Sequence, residues 1–322
     1  MQAYIIRRLL LIIVSVLLVS IIVFFSLRLI PGSIIEVMAA ELTEQAGVDI
    51  DRDILIEQIK VSLGMDAPMH IQYLRWMGDI IRGDLGESLW TKTPVTEMVV
   101  HRLPVTFEIG ILALAIAMLV AIPIGVYSAT RQDTMFDYLG RTIAIGALAI
   151  PNFWIATIIL LFGSLWFRWS PPLQFITFAE NPIGNLGQTL LPAAIIGVHM
   201  SGTVMRMTRT MMLEVLRQDY IRTAWAKGLR ERVIIMRHAL KNALIPVITI
   251  IGLRVPILIG GSVVMETIFT LPGIGLLMVE SLGKRDYTVV AGINMAIASF
   301  VLVINLLIDL TYAYLDPRIV YK

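Results

Sequence analysis

Long apolar runs separated by short polar stretches set the pattern of this chain, and six of the runs approach the roughly 20 residues that a membrane-crossing helix needs. The first, Leu9–Leu27, is interrupted only by Ser15, Ser20 and Ser26 and follows Arg7-Arg8. It is longer than the apolar core of a cleaved signal, and no small-x-small site follows closely, so it reads as a retained span. The others are Ile109–Ala129, Thr142–Phe167, Leu190–Met205, Ile245–Ile268 and Val289–Ile308. Pro123 makes the second kinkable. Pro151-Asn152 breaks the third, where a neighbour or water must satisfy the backbone carbonyl that proline frees. Gly260-Gly261-Ser262 in the fifth predicts a close helix contact.

The polar stretches carry patterns of their own. After the turn at Pro31-Gly32, Asp51 is placed to cap a helix with an apolar stripe of Leu55, Ile59 and Leu63, stopped by Gly64. Pro68 opens another, with Ile71, Leu74, Met77 and Ile81 on one face and Gly83 as its stop. Such stripes need cover, so residues 31–102 read as a small folded cap. Between the fourth and fifth spans lies the most patterned stretch, from Arg206 to Pro246. There Asp219 is expected to cap a helix over Tyr220–Lys227, with Gly228 as its left-handed stop. Ile221, Trp225 and Leu229 recur every four residues as its apolar stripe. A second helix is expected from about Glu231 to Ala243.

Composition confirms the class: 57% of the 322 residues are hydrophobic and the mean hydropathy is +0.81, which excludes a soluble domain. Cysteine is absent, so disulfides, thiolate metal sites and cysteine nucleophiles are excluded. The net charge of +2 hides a segregation. Residues 31–102 hold six basic and twelve acidic side chains, whereas 206–241 hold nine and three. Basic loops stay in the cytoplasm. Six spans then place both termini and the basic loop there, with 31–102 outside.

Candidate chemistry is sparse. No G-x-x-x-x-G-K-[ST] occurs: Gly283-Lys284 is followed by Arg285 and lacks the earlier glycine. No H-E-x-x-H occurs, and His70, His101, His199 and His238 are scattered, so no metal site is expected. His199 reads as a hydrogen-bonded packing residue, and the seventeen methionines as adaptable packing. Four charges in or near later spans stand out as pathway or structural candidates: Glu108, Arg254, Glu266 and Asp309. Glu108 and Glu266 are expected near outer ends, within reach of water. Arg254 and Asp309 lie at neighbouring depths and are expected to pair, because a lone charge there is costly; the alternative is that Arg254 lines the pathway and meets a substrate carboxylate.

The run Asp219-Tyr220-Ile221-Arg222-Thr223-Ala224-Trp225-Ala226-Lys227-Gly228-Leu229 resembles the coupling ("EAA") loop of ABC importer permeases, and more narrowly that of the dipeptide/oligopeptide/nickel permease family, first-permease type. Arg222 or Thr223 stands where the general pattern has Glu. Gly83-Asp84-Leu85-Gly86-Glu87-Ser88, Arg102-Leu103-Pro104 and the ending Leu315-Asp316-Pro317-Arg318 are also similar to that family. The resemblance implies an all-α six-span fold of the type I importer kind: tail and first span 1–30, external cap 31–102, and a permease domain 103–322 with coupling loop 206–245. It implies an inner-membrane subunit, not an enzyme, which moves peptides or similar solutes. Its partners would be a homologous second permease, two ABC ATPases that bind ATP and Mg, an external solute-binding protein and membrane lipid, with no nucleic acid. Relatives of this kind also carry nickel chelates, glutathione and oligosaccharides. Two rivals are an ion-driven secondary transporter, which would need an intramembrane carboxylate relay, and an intramembrane enzyme, for which no centre is found.

Overall fold

The computed structural model describes residues 2–29, 54, 56–57, 60–61, 66–172 and 174–315, and the regular structure among them is helical apart from one antiparallel bridge, Glu87 to Pro94. The helices are α1 (Gln2–Leu29), α2 (Met69–Ile81), α3 (Val95–Thr130), α4 (Met135–Ala149), α5 (Asn152–Phe167), α6 (Pro182–Leu216), α7 (Asp219–Ala226), α8 (Glu231–Val233), α9 (Leu240–Phe269), α10 (Ile274–Gly283) and α11 (Tyr287–Leu315). Among the described residues, five stretches are long and apolar enough to cross a membrane, and up to seven if each of two bent pairs forms a span. The six expected spans fall within that range.

Five of the six predicted spans prove to be the apolar middle of a longer helix. The second begins at Val95 and the fourth runs on to Leu216, so Arg206–Leu216 is not loop but the polar end of α6. The third does break at Pro151, and sharply: α4 and α5 meet at 88°. The expected Asp51 helix and the Leu315–Arg318 ending lie largely outside the described residues.

The described residues form two compact units, one of those up to 102 with 277–303, the other of those in 103–276 with 304–315. In the first, α1 and α2 meet through Phe24, 2% exposed, whose ring lies 5.3 Å from Tyr73 and 5.5 Å from Trp76. Ser20 shares a 2.8 Å hydrogen bond with the Tyr73 hydroxyl. The stripe expected to be covered on α2 is covered only in part: Ile71 and Met77 are half-buried, Leu74 and Ile81 are exposed, and the face that meets α1 is the aromatic one. The helix stops as expected at Gly83, whose φ of 85° lets its N–H reach Ile80 O and that of Asp84 reach Asp79 O. The following turn is tied to the start of α11 by the buried Asp286. That carboxylate accepts from Ser88 Oγ at 2.6 Å and Leu89 N at 3.2 Å.

In the second unit, Ala113, Ala117 and Ala121 make a fully buried stripe on α3. Small residues let α6 come so close that a side chain on Gly197 would meet the Ala113 carbonyl, and one on Gly202 would meet that of Ala144 on α4. Gly260 and Gly261 make no such approach among the described residues of this chain: a side chain on either would meet nothing within 4 Å.

Candidate functional site

The basic stretch folds as a short helix between two long ones. α7 does not start as expected. Gln218 is the N-cap, without a side-chain cap bond, and Asp219 is the first helical residue, exposed and 3.5 Å from Arg222. An acid in the first turn still favours the helix through its dipole. The other end follows expectation. Gly228 takes φ 75°, its N–H bonds Trp225 O at 2.9 Å, and the Leu229 N–H bonds Ala224 O at 3.4 Å. Those two bonds close a Schellman turn that satisfies carbonyls left over at the helix end.

The face that α7 buries is narrower than the predicted stripe. Ile221 is 0% exposed and Ala224 is buried, in a cluster with Ala129, Met212, Ile234, Ala239 and Ala243. Trp225 is 48% and Leu229 38% exposed, alongside Tyr220 at 44%. The pair that seats this helix, Ile221 and Ala224, is thus three residues apart, not four. Full burial of an isoleucine contributes about 1.5–3 kcal/mol, which anchors so short an element. Tyr220 is held outward by the Asn242 amide, which donates to its hydroxyl at 2.9 Å.

The expected second helix does not end before Pro246. α8 passes into a π-helical turn, Ile234–Ala239, and straight on into α9, with Pro246 and Pro256 inside that helix. A π turn inserts an extra residue, and here it brings both Ile234 and Ala239 onto the buried side.

Just above this seat lies a charge cluster that sequence reasoning missed. Asp137 on α4 is completely buried and accepts from Arg209 of α6 through two bonds of 2.7 Å, Nε to Oδ1 and Nη2 to Oδ2. Ser128 of α3 donates its hydroxyl proton to Oδ1, and Asp133 N–H donates to Oδ2 at 3.0 Å. Arg141 stands 3.5 Å away. The signal was present, since Asp133 and Asp137 lie between Arg131 and Arg141, but pairing with Arg209 across 72 positions has no local mark.

Of the charges singled out from sequence, Glu266 departs most from expectation. It reaches no water: it is 0% exposed and accepts from Thr106 Oγ1 at 2.8 Å and Leu276 N at 3.1 Å. Glu108 is half-buried and accepts from Thr189 Oγ1 at 3.0 Å and Asn185 Nδ2 at 3.2 Å. Both carboxylates thus fasten helices together. Arg254 is half-buried on α9, and the side chain of Asp309 lies outside the described residues, so their pairing stays an expectation. His199 meets expectation. Its Nδ1 lies 2.9 Å from Ala147 O, the carbonyl whose helical donor would have been residue 151, a proline. A carbonyl only accepts, so Nδ1 carries the proton. Among the described residues no group of three or more His, Asp or Glu side chains is arranged to hold a metal.

Comparison with known proteins accounts for both parts of the chain. The family described as "Binding-protein-dependent transport system inner membrane component" matches residues 121–321, and its N-terminal companion matches residues 1–110. The oligopeptide transport system permease protein AppB of Bacillus subtilis is 40% identical over the whole of both chains. A putative peptide transport system permease protein of Brucella suis is 37% identical and the dipeptide transport system permease protein DppB of Escherichia coli 35%, again over the whole length of both chains. The chain belongs to the family of binding-protein-dependent transport system inner membrane components.

Proposed function

We propose that this member of the binding-protein-dependent transport permeases carries peptides across the inner membrane as one half of a two-permease pathway, driven by separate ABC ATPases. A solute-binding protein on the outer side would deliver the peptide, and ATP and Mg would be held by two ATPase subunits. Both termini and the 206–245 stretch would face the cytoplasm. This assignment follows the charge segregation and the positive-inside rule.

The observation that carries the coupling role is the two-sidedness of α7. Its inner face is locked into the protein by Ile221, while Tyr220, Trp225 and Leu229 remain exposed beside Val233 and Met236. Aromatic and aliphatic side chains in an otherwise charged stretch mark a surface that a partner covers. The displayed helix would enter a groove on the ATPase, with Arg222, Thr223 and Lys227 at its rim. Movement of the ATPases would then be delivered to the helices in which Ile221 is seated.

The peptide reading rests on the names of the relatives, all permeases of peptide systems. Two measurements test it. Tyr220→Cys should form a disulfide with a cysteine placed in the ATPase groove, and its absence would remove the docking role. Mass spectrometry of the ligand carried by the partner binding protein should show short peptides. An oligosaccharide, glutathione or a nickel chelate there would replace the substrate and leave the importer intact.

A further inference from the structure

We propose that Asp137 is a positioning residue for coupling: through Arg209 it makes α4 move with the ATPase-docking helix, so that the stroke reaches the bend at Pro151. The inference rests on the docking role of α7 proposed above.

Two pairs of residues close in sequence carry the argument. On α3, Ser128 bonds Asp137 while its neighbour Ala129 lines the seat of Ile221. On α6, Arg209 holds Asp137 while Met212, one turn on and 0% exposed, lines that same seat. Residues three apart on a helix share a face. α3 and α6 thus each bond Asp137 of α4 and line the seat of α7 within less than one helical turn.

The grip is stiff by its chemistry. Arg209 is only 15% exposed and its planar fork fits both carboxylate oxygens, which fixes angle as well as distance. Asp133, held at φ 61°, aims its N–H at the remaining side of the carboxylate. Close packing adds to it: a Cβ on Gly125 of α3 would lie 2.8 Å from that of Thr208 on α6, and one on Gly140 of α4 would lie 3.1 Å from Met205 Cε. Further along, His199 of α6 holds the Ala147 carbonyl near the end of α4. Both ends of α4 are thus tied to α6, and α5 leaves at 88°. A displacement of α7 has no slack to vanish into before that bend.

A merely stabilising ion pair would affect how much complex assembles but not how well ATP use is converted to transport. The test measures uptake per ATP hydrolysed, in vesicles containing the purified complex with its ATPases and loaded binding protein. Asp137→Asn leaves Arg209 buried without its counter-charge and can lower assembly. The double variant Asp137→Asn with Arg209→Gln removes both charges. In whichever assembles, ATP hydrolysis should continue while uptake per ATP falls roughly fivefold or more, the scale of a typical coupling between sites. Native uptake per ATP in the double variant overturns the proposal. A second readout needs no transport. In this cysteine-free chain, spin labels at Phe136→Cys and Gln218→Cys should keep one separation with and without trapped ATP, and a separation that shifts on trapping overturns it too. If docking itself is wrong, the Tyr220→Cys disulfide fails in the native complex. If only the clamp is wrong, that disulfide forms and uptake per ATP does not change.

Discussion

At the scale of single residues, the polar side chains inside this bundle act as fasteners. Glu266, Glu108, Asp137 and His199 each complete a bond that backbone or a neighbouring helix leaves open. His199 shows the logic most plainly. A proline deprives one carbonyl of its donor, an unsatisfied buried acceptor costs about 1–3 kcal/mol, and a ring N–H from α6 supplies the bond. His199→Ala should therefore loosen the Pro151 bend and lower peptide uptake about fivefold, the shift that ~1 kcal/mol produces. His199→Asn, whose amide places a donor near the position of Nδ1, should restore most of it. Equal loss in both variants, measured as initial uptake rate, would mean that the histidine serves by shape and not by its proton. The need for a donor at Pro151 was legible in the sequence, and so was a hydrogen-bonded role for His199. That one answers the other was not, because the two positions are brought together only by helix packing.

At the scale of elements, what could be read depended on whether the signal was local. Gly228 as a helix stop is local chemistry, and it stands where expected with φ 75°. The N-terminus of α7 misled because Asp219 resembles a cap, yet the chain begins its helical turn one residue earlier. The buried stripe misled for a different reason: four-residue spacing describes a long helix, and the seat that receives α7 admits only Ile221 and Ala224. The seat itself, built from α3, α6 and the π turn, has no signature in any one stretch. Gly228→Val puts a β-branched residue into a conformation that costs it dearly, which should undo the Schellman turn and tilt Trp225 and Leu229 away from their display. The variant should insert and assemble its bundle in normal amounts, with uptake falling to near background. Normal uptake would show that the end of α7 is free to move without consequence.

At the scale of the whole molecule, the claim that orders all others is which end of the bundle faces the cytoplasm. Charge segregation argues it: 206–241 carries six more basic than acidic residues and 31–102 six fewer. Translocating a basic loop is disfavoured, and the bias is strongest for short stretches next to spans, as here. The described structure gives two exposed reporters with contrasting fates, Thr91 in the turn held by Ser88 and Asp286, and Arg230 between α7 and α8. Since the chain contains no cysteine, single substitutions report without background. Thr91→Cys should react with a membrane-impermeant thiol reagent added to intact cells. Arg230→Cys should react only after the membrane is opened, and the proposed docking of the ATPases should slow it further, because position 230 adjoins the exposed face of α7. Reaction of Arg230→Cys in intact cells would invert the bundle, put the docking helix on the side of the binding protein, and leave ATP nothing to push against.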